Sequence, residues 1–197
     1  MTPADFLATR LPARLEPAEQ GEAYAPANIA LAKYWGKRDR ALNLPVNGSL
    51  SISLGGLGTH TTVRAADHDR ITLNGSDAAP DSALHRRTFA FIELWRRGAA
   101  QPLHIETENT IPTAAGLASS ASGFAALTLA LARYWQLNLA DSALSAIARL
   151  GSGSAARSLW HGFVKWERGR RDDGSDSFAA PIVSDWQELR IALVEID

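Results

Sequence analysis

Three short stretches of this 197-residue chain concentrate groups suited to binding anions. The first, Pro112-Thr113-Ala114-Ala115-Gly116-Leu117-Ala118-Ser119-Ser120-Ala121-Ser122, is built of small residues and leads into an apolar helical stretch. Small residues let a backbone approach a ligand closely, and the free N–H groups of a first helical turn, with the helix dipole behind them, favour an anion. Hydroxyls of Ser119, Ser120 and Ser122 add donors and could face a phosphate-bound magnesium. The same pattern also reads as a helix start packed tightly on a strand, with Ser119 or Ser120 capping it. It has neither the Walker A lysine nor the GxGxxG spacing.

The second stretch, Gly151-Ser152-Gly153-Ser154-Ala155-Ala156-Arg157, opens a short helix and ends in a guanidinium that can pair bidentately with phosphate or carboxylate. Its alternative is a flexible connection with Arg157 in solvent. The third runs from Ala25 to Asp39 and crowds Asn28, Lys33, Tyr34, Lys37 and Arg38 together with few credentials for regular structure. Lys33 and Lys37 share a face if the turn is helical, and like charges there cost stability unless an anion such as a diphosphate neutralises them. A solvated basic loop anchored by Tyr34 and Trp35 is the competing reading.

Other candidates are weaker. Histidines 60, 68, 85, 104 and 161 show no HxxxH or HExxH spacing, and Ser119 is not in a GxSxG elbow, so neither a zinc site nor a hydrolase triad has support. The run Arg168, Arg170, Arg171, Asp172, Asp173 mixes charges beside glycines and reads as a solvated loop.

The elements that must position these groups follow from periodicity. Strand-prone segments fall at Leu50–Leu54, Thr59–Arg64, Arg70–Leu73, Leu103–Glu106, Gly162–Glu167 and Leu189–Glu195. Helical spacing predicts an amphipathic helix over Asp81–Arg97 and a helix apolar around its circumference over Ser120–Trp135, buried on several sides. A third helix runs from Asp141, as its capping residue, to about Arg149 and stops at Gly151. Without regular βαβ alternation, the class is α+β.

Composition sets the bounds. At 46% hydrophobic the chain can bury a core, and 20 basic against 21 acidic residues leave no global field towards nucleic acid or an anionic membrane. No cysteine is present, so disulfides and thiolate chemistry are excluded and a reducing, cytoplasmic setting is expected. Met1–Gln20 carries five charged residues where a signal peptide needs an apolar run, and reads as a short helix or loose arm. The most apolar stretch, Gly123–Ala132, is too short for a membrane span.

Taken together, Asn28-Ile29-Ala30, Lys33-Tyr34-Trp35-Gly36-Lys37-Arg38-Asp39, Leu42-Asn43-Leu44-Pro45, Asn47, Ser49-Leu50-Ser51 and the loops Pro112–Ser122 and Gly151–Ser158 resemble the mevalonate diphosphate decarboxylases of the GHMP kinase superfamily. Ala118 matches the GLASS form that these enzymes use. The resemblance covers Tyr24 to the chain end. It implies an arm over residues 1–20 and, over 21–197, the N-terminal lobe of a two-lobed fold similar to the second domain of ribosomal protein S5.

The resemblance further implies ATP and Mg2+ on Pro112, Ala115, Gly116, Leu117, Ala118, Ser119, Ser120 and Ser122, with Ser120 facing the metal. Mevalonate diphosphate would lie on Tyr34, Trp35, Gly36, Lys37 and on Ser152, Gly153, Ser154, Ala155, Ala156 and Arg157, with Arg86 or Arg87 as a further contact. Arg157 would orient the departing carboxylate, Asn28 would support it, and Lys33 would be a nearby charge. The implied reaction is ATP-dependent decarboxylation to isopentenyl diphosphate, in a cytoplasmic homodimer with no nucleic-acid or membrane partner. In the family the proton-accepting aspartate comes from a second lobe that this chain lacks, so the chain reads as truncated and inactive alone. Three alternatives stay open: a mevalonate 3-kinase, a phosphomevalonate decarboxylase, or an S5-like RNA-binding module. The working expectation is that Ser120, Lys37 and Arg157 converge on one cavity.

Overall fold

One strand, β4 (Ser49–Ala65), organises the sheet, because its two halves pair with different partners. The computed structural model describes residues 1–96, 101–111, 119–184, 186 and 188–192. Within them the other strands are β1 (Gln20–Ala32), β2 (Lys37–Asp39), β3 (Leu44–Pro45), β5 (Arg70–Leu73), β6 (Ser76–Asp77), β7 (Leu103–Asn109), β8 (Phe163–Trp166) and β9 (Ala179–Ile182). The helices are α1 (Pro3–Ala8), α2 (Ala83–Arg96), α3 (Ser119–Tyr134) and α4 (Asp141–Gly151), followed by a 3-10 turn at Gly153–Arg157.

The seven-stranded sheet runs β6-β5-β7-β4-β8-β9, with β1 also on β4, and β2 and β3 form a separate hairpin. Only the β5–β7 pair is parallel; the others are antiparallel. Residues Thr59–Ala65 of β4 pair with β7, while Ser49–Ile52 pair with β8. Thus Leu50–Leu54 and Thr59–Arg64 belong to one continuous strand. Gly55, Gly56 and Gly58 let its middle bend between the two partners.

Strand β1 is the element that composition hides. Alanine, proline, asparagine and glycine are poor strand formers, yet β1 follows β4 for nearly its whole length. The reason lies above the sheet, where α3 packs on β1 and β4. A Cβ on Gly21 would stand 2.2 Å from the Ala130 carbonyl oxygen and 2.4 Å from the Tyr134 nitrogen. Small residues are therefore what let the helix approach. Register shifts between Pro26 and Asn28, and such an irregularity re-aims the side chains beside it.

Helix α3 is buried around most of its circumference, through residues such as Phe124, Leu127, Leu131 and Tyr134. It meets α4, β7 and the 3-10 turn as well as the sheet. Trp95, Phe91, Phe124, Tyr134 and Trp135 pack as a chain of ring contacts through this core. The leading segment joins it: α1 is closed by a Thr2–Asp5 capping box, and Phe6 and Leu7 are fully buried. Each such side chain contributes about 1.5–3 kcal/mol when taken from water.

Two sequence readings need correction here. Ala140 is the N-cap of α4 and makes no side-chain cap bond, so Asp141 is the first helical residue, where its charge favours the dipole. Leu189–Ala192 form no strand, and the rest of the expected Leu189–Glu195 strand lies outside the described residues. No helix among the described residues is long and apolar enough to cross a membrane.

Asp69 closes the path from β5 through α2 to β7. Its carboxylate accepts from Arg96 Nη1 at 2.8 Å, Arg96 Nη2 at 2.6 Å and the Leu103 N–H at 2.9 Å. Burial pushes its pKa up, but these bonds outweigh burial and hold it below the ordinary 3.8. A lowered folded value means its stabilisation is fully present above the ordinary 3.8 and is lost as pH falls below 3.8 and through the lower folded value. Asp69→Asn should cost about 2 kcal/mol at neutral pH and remove part of the acid sensitivity of the melting temperature below pH 4, read by thermal denaturation from pH 7 to 3.

Candidate functional site

The site grows from a buried cation. Arg157, at the end of the 3-10 turn, is 2% exposed. Its Nη1 donates to Ser49 Oγ at 2.6 Å and its Nη2 to Asn28 Oδ1 at 3.3 Å. Asn28 Nδ2 in turn donates to Ser158 Oγ at 2.6 Å and to the Ser154 carbonyl at 3.3 Å. β1 therefore reaches the turn through Asn28, just past its register shift, and β4 reaches it through Ser49. All the acceptors are neutral. Among the described residues no carboxylate pairs with Arg157, and its Nε has no hydrogen-bond partner. Burial lowers its pKa to about 10, opposed by the nearby Tyr34, so the group stays cationic at neutral pH.

Tyr34 forms the next wall. Its ring meets Trp166 edge-on at 4.9 Å, and the Arg157 guanidinium carbon lies 5.8 Å from the Trp166 ring centroid. A Cβ on Gly153 would stand 2.7 Å from the Tyr34 hydroxyl and 3.3 Å from the Trp166 ring, so only glycine leaves room for the tyrosine there. The turn is not helical: Lys33–Gly36 connect β1 to β2, and Lys37 begins a strand, which corrects the helical face expected for Lys33 and Lys37. Gly36 adopts φ 80°. Asn47 pins this connection, accepting from the Trp35 N–H at 3.0 Å and donating to the Lys33 carbonyl at 3.1 Å. Lys33 and Lys37 are exposed, as is Trp35 at 74%.

Hydroxyls complete the arrangement. Ser120 Oγ stands 3.5 Å from Ser152 Oγ, which stands 3.3 Å from Ser154 Oγ, so a row of serines links the start of α3 to the 3-10 turn. Beside Ser119 and Ser120 a cavity of about 270 Å³ lies over the sheet, with Ile71, Leu84, Ile105, Phe124 and Leu127 as apolar lining and Thr61, Thr107 and Asn109 as polar lining. Its lining includes neither Arg157 nor Lys37. The expectation that Ser120, Lys37 and Arg157 line one cavity is therefore not met: Ser120 lines this one, Arg157 is buried in the 3-10 turn, and Lys37 is exposed.

A family model described as "Diphosphomevalonate decarboxylase-like N-terminal domain" matches residues 25–179. The chain belongs to this family. A diphosphomevalonate decarboxylase of Eremothecium gossypii is 45% identical over 190 residues, covering 87% of this chain and 48% of that protein. The mevalonate diphosphate decarboxylase crystal structure from Staphylococcus aureus superposes with TM-score 0.78 at 40% identity, covering 85% of this chain and 51% of that one. A further solved structure, "MDDEF in complex with MVAPP, AMPPCP and Magnesium", gives TM-score 0.74 at 42% identity, covering 83% and 50%. The chain spans about half the length of the curated relatives it matches, and its fold is that of the N-terminal lobe of the GHMP kinase fold seen in these decarboxylase structures.

Within this diphosphomevalonate decarboxylase-like lobe, several expected positions change character. Ser122 is fully buried; its hydroxyl accepts from Thr59 Oγ1 at 2.7 Å and donates to the Ser119 carbonyl, so it is a packing residue and not a free phosphate donor. Ala155 and Ala156 are also fully buried, and the Ala155 N–H is bonded to the Ser152 carbonyl, so they support the turn from behind. Arg157 is not solvated. Arg86 turns back to the Asp81 carbonyl, while Arg87 lines the cavity. The loop positions Pro112, Ala115, Gly116, Leu117 and Ala118 lie outside the described residues.

Sequence reasoning assigned no role to Ser49, Asn43, Asn47, Ser158 or Trp166. All but Trp166 were visible as motif letters, yet a short polar residue in a strand or turn carries no sign of its distant partner.

Arg157 contrasts with Arg149, fully buried in α4, whose guanidinium donates to the carbonyls of Leu42 and Gly174, both at 3.0 Å, and of Ser177. Both are buried cations bonded only to neutral acceptors, and each has one unbonded nitrogen; removing Arg149 strands three buried carbonyls, whereas removing Arg157 frees only the side chains of Ser49 and Asn28. Arg149→Met should therefore cost about 3 kcal/mol, and Arg157→Met should stay within about 1 kcal/mol of the parent or exceed it, read as urea midpoints.

Proposed function

We propose that this chain supplies the nucleotide- and substrate-binding lobe of an ATP-dependent decarboxylase that converts (R)-5-diphosphomevalonate to isopentenyl diphosphate. The observation that carries the reading is the Arg157 guanidinium, buried beside Trp166 with only neutral acceptors and with its Nε unbonded. Burying a cation this way costs free energy unless an anionic ligand repays it. The resemblance of the chain to known decarboxylases supports a carboxylate as that ligand.

In this reading the diphosphate lies on Tyr34, Trp35, Gly36 and Lys37 and on Ser152–Ser154, with Lys33 as a neighbouring charge. Arg157, oriented by Asn28 and Ser49, holds the carboxylate that leaves as carbon dioxide. ATP supplies the phosphoryl group that turns the C3 hydroxyl into a good leaving group. Loss of phosphate and carbon dioxide then places the two electrons of the carboxyl bond into the new double bond. Ser119 and Ser120, at the first turn of α3, would hold the nucleotide phosphates, where fixed donors do most of the work of phosphoryl transfer. The adjacent cavity has the mainly apolar lining with a few polar groups that suits a nucleoside.

Magnesium fits as a passenger of the nucleotide. Among the described residues no cluster of three metal-ligating side chains exists, and this ion is commonly held by phosphates, waters and one or two protein oxygens, which Ser120 would supply. No carboxylate among the described residues bonds to Arg157, Asn28 or Ser120. The acceptor of the C3 hydroxyl proton is therefore not assigned to this chain. A cytoplasmic homodimer of the full-length enzyme completes the proposal.

Calorimetric titration of the 197-residue chain tests the reading. Mevalonate diphosphate should bind saturably and more tightly than mevalonate phosphate, and Arg157→Met should weaken it at least about tenfold, as expected for a charge-assisted pair. Absence of any response to mevalonate diphosphate, or equal binding by Arg157→Met, would overturn it. In a complete enzyme the same substitution should lower kcat on the order of 10²-fold.

A further inference from the structure

Asn43 stands in the turn between β2 and β3 at φ 51°, a left-handed conformation that asparagine and glycine tolerate better than other residues. Its side chain uses all of its main bonding directions. Nδ2 donates to the Arg149 carbonyl at 2.9 Å and to the Leu150 carbonyl at 3.0 Å, while Oδ1 accepts from Lys37 Nζ at 2.6 Å. Those two carbonyls lie in the last turn of α4, where no further helical N–H reaches them. The 3-10 turn carrying Gly153 and Arg157 begins immediately after. The Arg149 guanidinium also donates to the carbonyl of Leu42, the neighbour of Asn43, so the two segments are tied in both directions.

We infer that Asn43 is a positioning residue: its amide holds the Lys37 ammonium and the end of α4 in one fixed relation, so that Lys37 and the Gly153–Arg157 turn act on the same bound anion. This rests on the reading of Lys37 as a diphosphate ligand. The amide is specific to the task. A carboxylate in its place still accepts from Lys37 but faces two carbonyl oxygens without a proton to offer. Glycine keeps the backbone conformation and deletes all three bonds, which makes Asn43→Gly a probe free of backbone strain.

The full chain and its Asn43→Gly, Lys37→Met and doubly substituted forms are titrated with mevalonate diphosphate by calorimetry. Asn43→Gly should weaken binding about tenfold, and the loss should be smaller in the Lys37→Met background, because the two changes share the Lys37–Asn43 bond while the part carried by the end of α4 persists. Unchanged affinity in Asn43→Gly, or losses that add in full, would show a purely structural asparagine and overturn the inference. Unchanged affinity in Lys37→Met defeats the assignment of the lysine itself, and the inference with it. A measurement without ligand stands beside these. Nuclear magnetic resonance of the Lys37 ammonium should show it mobilised in Asn43→Gly and restrained again in Asn43→Asp. Amide exchange over residues 152–157 should rise in both variants. An ammonium equally ordered in Asn43→Gly and the parent sinks the proposal whatever the titrations give.

Discussion

A guanidinium removed from water and offered only neutral acceptors is the constraint around which the rest of this lobe is arranged. Arg157 remains charged inside the protein because deprotonation would require a pH near 10. The desolvation cost must therefore be met by geometry. The 3-10 turn delivers the side chain, Ser49 and Asn28 each accept one bond from it, and Trp166 closes one side.

The surrounding elements serve that requirement in recognisable ways. The β1 register shift falls beside Asn28, where a re-aimed side chain is needed. The split pairing of β4 puts Ser49 beside β8, and Ser49 pairs across the sheet with Trp166 itself. Gly153 leaves space for Tyr34, which brings the basic connection after β1 against the turn. A second buried guanidinium, Arg149, likewise has only neutral acceptors, but they are three backbone carbonyls, and it knits α4 to the Leu42 and Gly174–Ser177 segments.

The match to diphosphomevalonate decarboxylases extends over about half of those proteins. The described lobe contains the cation, the serine row and the cavity beside Ser119 and Ser120. It brings no carboxylate to Arg157.

Local pattern was enough for much of the scaffold. The amphipathic spacing of α2, the all-round apolarity of α3 and the β-branched or aromatic runs of β5, β7 and β8 express short-range periodicities, and each formed near its expected bounds. The three anion-seeking stretches also stood out, because lysines, serines and glycines cluster along the chain there. Strand β1 was not visible, since its small residues are selected by the approach of α3 and not by intrinsic strand preference. The same holds for Ser122, whose hydroxyl looks available in sequence and is consumed by Thr59, 63 residues earlier in the chain. Residue types and their neighbours specify which groups are present and which helices form. Which hydroxyl is spent inside, which cation is buried and what each one touches depend on pairings 63 to 130 residues apart, and those exist only once the chain has packed.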